Sequence, residues 1–379
     1  MPEYEIFRLL WWALLGVLLI GIAVMDGFDM GVAILLPVVA REDMERRVVI
    51  NTVGPVWEGN QVWLILGAGA IFAAFPPLYG VAFSGFYFAM LLLLFALILR
   101  PVGFKYRSKL APPRWRATWD AALFLGGFVP ALVFGVAFGN VLLGVPFRFD
   151  PMLRMSYEGS LLGLFTPFAL LCGLLSVAMM ALHGAAYLGC KTEGAIRDRA
   201  RRFGTYAGVA TIALFAAGGA WASRLPAYVL KSFAGVAAPS NPLGKTVIRQ
   251  TGALFDNYGA HPWMLVAPVV GIAGAALAVL LLRGGKWPVA AFISSGKAIA
   301  GIIATAGFSL FPFMLPSSID PASSLTLWDA SSSLTTLVVM TIATVVILPV
   351  VIGYTAWVYY VLRGPVTAAH IQQDSHTAY

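Results

Sequence analysis

Nine apolar stretches, each long enough to cross a bilayer as a helix, run the length of this chain. They cover about residues 9–40, 50–75, 78–99, 119–142, 161–188, 204–223, 262–282, 288–313 and 334–362. A helix needs ~20 apolar residues to span the hydrocarbon, where every backbone polar group must be satisfied within the segment itself. The expected fold class is an all-α polytopic membrane protein with nine transmembrane helices, residues 1–379 forming one integral membrane domain. Composition agrees: 60% of residues are hydrophobic, 11% are charged and mean hydropathy is +0.84, against roughly 45–50% apolar and about 25% charged in soluble domains. A water-soluble enzyme, a nucleic-acid-binding domain and a disordered chain are excluded. The first stretch, Leu9 to Ala40, would be about 48 Å long at ~1.5 Å per residue, so it must tilt or protrude. Arg8 alone precedes it and no small-residue cleavage site breaks it, which predicts a retained span rather than a leader.

Lys and Arg orient the spans. The odd-numbered loops and the C-terminal tail hold 17 of them, including Arg41, Arg46, Arg47, Arg100, Lys105, Arg107, Arg197, Arg199, Arg201 and Arg202. The N-terminus and the even-numbered loops hold seven. The N-terminus is therefore expected on the periplasmic side and the C-terminus in the cytoplasm, as an odd number of crossings requires. The outer loop at about 224–261, with Pro226, Pro239 and Pro242, reads as an irregular cap.

Ionisable groups inside apolar spans cost ~2.5–3.5 kcal/mol or more to insert, so each needs a reason. Asp26 and Asp29 lie three apart in span one and share a helical face. Gly16, Gly21, Gly27 and Gly31 on that span invite close helix approach. Glu58 lies in span two beside Asn60 and Gln61. These three acids fall in the inner half of the membrane, and with the adjacent amides they suit a hydrated proton path from the cytoplasm. The other reading is structural: buried acids also hold helices together through Arg, Asn or backbone partners. Both readings stand for Asp26 and Asp29, while Glu58 leans toward transfer. Arg100 closes span three and Asp120 opens span four, which suggests an interfacial ion pair or snorkelling. Lys297, about ten residues into span eight, takes no role.

Of four histidines, His183, His261, His370 and His376, only His183 is near a span; it is the one candidate haem ligand, and no metal-ligand cluster is present. His183 reads as a polar helix-end residue. Cys172 and Cys190 read as free thiols, and no phosphate-binding Gly-rich loop ending in Gly-Lys-Ser/Thr is present. Tyr4, Trp11, Trp12, Tyr354, Trp357, Tyr359 and Tyr360 fall near span ends and read as interfacial anchors. Trp57 and Trp63 flank the Glu-Gly-Asn-Gln run inside span two; they either pack against a partner helix or line an apolar passage.

Several motifs are more specific. Asp26-Gly27-Phe28-Asp29-Met30-Gly31, Trp57-Glu58-Gly59-Asn60-Gln61-Val62-Trp63-Leu64, Phe83-Ser84-Gly85-Phe86-Tyr87 and Arg100-Pro101-Val102-Gly103-Phe104 resemble, in order, subunit II of the cytochrome bd quinol oxidases. Gly135 to Asn140, Phe311 to Ser318 and Leu325 to Ala330 extend the resemblance over essentially the whole chain. It implies nine helices arranged as two four-helix bundles plus one peripheral helix. It also implies a bacterial inner-membrane complex that oxidises quinol, reduces dioxygen to water and builds a proton gradient. Two b-type haems and a d-type haem are then carried by the partner, subunit I, with none bound by this chain alone. A small single-span accessory peptide and a structural quinone are further implied partners, besides membrane lipid.

By the same resemblance, Asp29 and the acid at position 58 match positions of proton uptake, and Trp63 matches one near an oxygen route. Position 58 departs from the family pattern, which has Asp; Glu58 is one methylene longer and its hydrogen-bond partner is open. The sequence is also similar to the cyanide-insensitive branch. The alternative function on the same buried acids is a proton-coupled secondary transporter, for which inverted repeats and broken midplane helices would speak.

Overall fold

A computed structural model describes residues 2–373 of the chain; His376 lies outside the described residues. The helices are α1 (Pro2–Val39), α2 (Asp43–Val53), α3 (Trp57–Ala74), α4 (Pro76–Gly85), α5 (Tyr87–Tyr106) and α6 (Pro113–Leu143). A short hairpin of β1 (Phe147–Phe149) and β2 (Met155–Tyr157) leads to α7 (Pro167–Lys191) and α8 (Gly194–Ala222). A longer hairpin, β3 (Pro226–Phe233) and β4 (Lys245–Thr251), precedes α9 (Asp256–Ala260), α10 (Val266–Gly284) and α11 (Pro288–Leu310). The pair β5 (Phe313–Leu315) and β6 (Leu325–Thr326), then α12 (Leu334–Val361) and α13 (Ala368–Gln373), complete the chain.

Among the described residues eight helices are long and apolar enough to cross a membrane. The expected single span over 50–75 is instead two helices. Pro55 has no N–H to continue a helix, so α2 stops at Val53 and α3 restarts at Trp57. The first turns of α3 carry Glu58, Asn60 and Gln61, and α3 is not among those eight helices. The expected span 78–99 is likewise split at Phe86 into α4 and α5, and α5 runs on past Arg100 to Tyr106.

Helix α1 packs against α3, α6 and α7, and α7 packs against α8 and α11. Glycines set how close these helices come. A Cβ at Gly31 would fall on the backbone of Met180 and Gly184 in α7, and one at Gly184 would fall on Gly31 and Val32. That backbone-to-backbone crossing joins the two central helices. Gly27 faces the Met180 side chain and Gly21 the Trp63 ring, whereas Gly16 faces open space. Helix α12 is different: Leu337 is the buried residue along its length.

Helix α1 is 38 residues long. Its first turns are held in a cap built from the β3–β4 hairpin and the segment before α12. Arg8 is fully buried there. It donates to the carbonyls of Val236 and Ala238 (2.6 and 3.0 Å) and to the hydroxyls of Ser331 and Ser240 (2.7 and 3.1 Å). The loop expected to be irregular is thus an ordered antiparallel hairpin, pairing Pro226 with Thr251 through Phe233 with Lys245, with a bulge near Leu230. Its alternation is weak in sequence, and Pro239 and Pro242 fall in the connecting turn. Lys245 Nζ meets Asp329 Oδ2 at 3.0 Å inside this cap. Burial pushes the Lys245 ammonium down and the Asp329 carboxyl up, against the attraction each exerts on the other.

Candidate functional site: a buried acid and arginine cluster

The i, i+3 spacing on α1 sends Asp26 and Asp29 to one side, and α5 brings Arg100 between them. Arg100 forks onto Asp26, Nη2 to Oδ1 at 2.6 Å and Nη1 to Oδ2 at 3.0 Å, the bidentate geometry a guanidinium offers a carboxylate. Its Nη2 lies 3.7 Å from Asp29 Oδ2. All three side chains are at most 1% exposed. Gly126 makes the approach possible: a Cβ there would press on Arg100 Cγ and the carbonyl of Ala96.

Helix α3 adds Asn60, whose Nδ2 donates to Asp29 Oδ2 at 2.9 Å. Helix α12 adds Tyr359, whose hydroxyl donates to Asn60 Oδ1 at 2.7 Å. Asp29 Oδ1 remains buried without a hydrogen-bond partner. The cluster therefore holds two carboxyls against one guanidinium, with an acceptor atom to spare. Two buried acids and one buried base carry a net negative charge when both acids are ionised, and low-dielectric surroundings penalise it. Asp26 is satisfied by the fork, whereas Asp29 keeps one carboxyl oxygen without a partner.

The other sequence candidates fall elsewhere. Glu58 precedes Asn60 by two residues, about 200° around the helix, and it is exposed on the far side of α3. Gln61 is half-buried. Trp57 is buried and tilted over Phe104 at 5.6 Å, its Nε1 unpartnered. Trp63 packs on Gly21 of α1, a helix contact. The interfacial expectation for Arg100 gives way to full burial, because its helix does not end there. Asp120 belongs to a second cluster at the basic end. It accepts from Arg107 Nε (2.5 Å) and Arg46 Nη1 (2.7 Å), while Asp43 accepts from Arg107 (2.9 Å) and Arg116 (2.6 Å). The sequence marks Tyr359 as an interfacial anchor and Arg107 and Arg8 as charges flanking spans, and it gives none of the three a place in a buried polar network. Tyr359 and Tyr360 look alike there; only helical phase separates the first, facing Asn60, from the second, exposed.

His183 lies wholly buried in α7, stacked on Phe292. Its Nε2 donates to the carbonyl of Val24 at 3.0 Å, and Nδ1 lies 2.7 Å from Ser295 Oγ. With both nitrogens engaged, no lone pair is presented to an iron. An apolar cavity of about 590 Å³ opens between α1, α6, α7, α8, α10 and α11, lined by Met30, Phe138, Met179, Phe215, Tyr258 and Ile303 among others.

A family model of cytochrome bd terminal oxidase subunit II matches residues 7–362. The chain is 47% identical to the cytochrome bd-I ubiquinol oxidase subunit 2 of Escherichia coli K12 and to a probable cytochrome oxidase subunit 2 of Haemophilus influenzae, in both cases over all of each chain. It is 33% identical to the cytochrome bd ubiquinol oxidase subunit 2 of Bacillus subtilis, over 94% of this chain and 96% of that one. A chain in the structure of the bd oxidase of Geobacillus thermodenitrificans shares the fold, with a TM-score of 0.70 at 17% identity, over 94% of this chain and 98% of the other.

Proposed function

Because the chain belongs to the cytochrome bd terminal oxidase subunit II family, we propose that it works as the non-haem subunit of a quinol-oxidising, dioxygen-reducing complex of the bacterial inner membrane, and that Asp29 carries protons within it. Family membership sets aside the transporter alternative. The observation that carries the proton role is the surplus carboxyl of the Asp26–Arg100–Asp29 cluster, with Asp29 Oδ1 unpartnered. Asp26 and Arg100 hold the geometry, and Asn60 aligns Asp29.

The haems fit the partner rather than this chain. A buried haem iron takes axial His or Met ligands, and His183 spends both ring nitrogens on Val24 and Ser295. Subunit I supplies the redox centres, and this chain supports it. A structural quinone suits the apolar cavity, where Tyr258, Thr305, Ser309, Ser176 and Ser223 are the hydroxyl-bearing residues of its wall. It would add a redox-active ring and a long apolar tail; no proton step is assigned to it.

Glu58 points to the docking side. A carboxylate at membrane depth is not left facing lipid. Val62, Ile65, Phe72, Phe88, Phe95 and Ile98 are exposed along α3 and α5. This face is where subunit I sits, with Glu58 meeting a polar path from that subunit and Trp57 and Trp63 backing it. Counting α3 as the ninth crossing gives two groups of four, α1 with α3, α5 and α6 and α7 with α8, α10 and α11, plus the peripheral α12. The N-terminal cap then faces the periplasm and the basic end the cytoplasm.

The test is turnover per haem in the purified two-subunit complex in proteoliposomes. Asp29→Asn is expected to slow quinol-driven oxygen consumption and proton uptake roughly tenfold or more, and Glu58→Gln to slow them less. Unchanged turnover per haem in Asp29→Asn overturns the proton role.

A further inference from the structure

We propose that Tyr359 is a positioning residue for proton transfer at Asp29. Its hydroxyl holds the Asn60 side chain with the NH2 end toward the carboxyl. The inference rests on the proton role of Asp29.

An asparagine amide has a donor end and an acceptor end, and either could face Asp29. An ionised carboxylate only accepts, so it selects the NH2 end. The Asn60 oxygen then faces the other way, into a buried site where it needs a donor. Tyr359 Oη supplies one at 2.7 Å, and Asn60 Nδ2 reaches Asp29 Oδ2 at 2.9 Å. The chain of polarity runs from Tyr359 O–H through the amide to the carboxylate. When Asp29 is protonated and turns its own O–H toward Asn60, the best amide orientation reverses. The NH2 end would then face Tyr359, and the phenol proton would have to find another acceptor. The tyrosine hydroxyl thus weights the amide toward serving the ionised acid and speeds release of the proton.

The placement is specific. Helix α12 has Leu337 as its buried residue, yet it delivers this hydroxyl to Asn60 beside the cluster. Its neighbour Tyr360 is 65% exposed. The titratable groups facing Asp29 are few. Asp26 stands one turn away on α1 and Arg100 on α5. Tyr187 on α7 and Tyr359 on α12 also feel its charge. Tyr187 spends its hydroxyl on the carbonyl of Thr52 at 2.8 Å and is not available to Asn60. His183 on α7 lies against Phe28, at 6.1 Å between rings, with both nitrogens engaged. Helix α3 sends Glu58 outward, Asp120 on α6 is held by Arg46 and Arg107, and Lys297 on α11 is exposed.

The test uses the intact complex and reads oxygen consumption against pH. In Tyr359→Phe the amide loses its donor and turns, Asp29 keeps its proton longer, and the rising acid arm of the profile moves up by about one pH unit, the size of one hydrogen bond. Tyr360→Phe leaves the profile in place. Replacing Tyr359 by 3-fluorotyrosine keeps the ring and sharpens the donor, so it moves the arm the opposite way even if the Phe variant does not assemble. A second check is additivity: in an Asp29→Asn background, Tyr359→Phe adds no further shift. A profile unmoved in both assembled Tyr359 variants overturns the positioning role. If Asp29→Asn alone leaves turnover unchanged, the proton reading itself fails, and that outcome is distinct from the first.

Discussion

Arg100 and Arg107 lie seven residues apart along one stretch of chain, and they sit in opposite chemical settings. Around Arg107, at the basic end, three guanidiniums (Arg46, Arg107, Arg116) meet two carboxylates (Asp43, Asp120). All four carboxylate oxygens take an arginine N–H, and the atom left over is a donor, Arg107 Nη1. Around Arg100 one guanidinium meets two carboxyls, and the atom left over is an acceptor, Asp29 Oδ1. The edge network has more guanidiniums than carboxylates, and the buried cluster has the reverse. The same residue types thus make a rivet in one place and, under the proposed function, a proton site in the other, and the ratio of acids to bases decides which.

The comparison breaks most visibly at Arg100. Arg100→Ala leaves two buried acids facing each other, and removing one partner of a buried ion pair costs about 3–5 kcal/mol. The expected result is loss of most of the assembled complex, measured as haem recovered with this chain after detergent extraction. Normal recovery would mean that the cluster is hydrated and open rather than buried.

Asp120→Asn tests the other side. Arg107 keeps Asp43, so the loss is smaller, about 1–3 kcal/mol for a charge-assisted contact withdrawn from a buried guanidinium. Thermal unfolding of the complex should begin at a lower temperature, while turnover per haem stays at the wild-type level. A fall in turnover matching that of Asp29→Asn would erase the distinction between the two clusters.

Part of this contrast was legible in the sequence and part was not. Asp26 and Asp29 announce themselves, since acids three apart in an apolar run share a face whatever surrounds them. A lone arginine after the apolar run Phe86 to Leu99 looks like a span end, yet the helix continues because Gly103 and Phe104 still cover a buried face. The outward turn of Glu58 depends on the rotation of α3 against α1, which Trp63 on Gly21 and Gly67 on Ile22 set, and these are tertiary contacts. Tyr359 was hidden among interfacial aromatics. Its role needs the position of α12, and a helix so weakly buried leaves little trace in its pattern of apolar residues.

The smallest expected effect concerns Glu45, where α2 begins. Burial pushes its carboxyl up, but the backbone N–H of Arg41 at 2.7 Å, the Arg199 guanidinium and the backbone N–H of Glu42 at 3.3 Å outweigh it and hold the group below its ordinary value of 4.5. An acid held down in the folded state stabilises it above the ordinary value, and that stabilisation is lost as pH falls through the lower folded value. Glu45→Gln should therefore cost about 1 kcal/mol at neutral pH and progressively less below about pH 4.5, the two proteins converging under acid. Thermal unfolding of the complex across pH 3 to 7 reads this directly. A constant difference over that range would mean that Arg199 and the α2 N-terminus hold the protonated carboxyl as well as the carboxylate. The basic end would then be fastened by hydrogen-bond shape rather than by charge, unlike the Asp26–Arg100–Asp29 cluster.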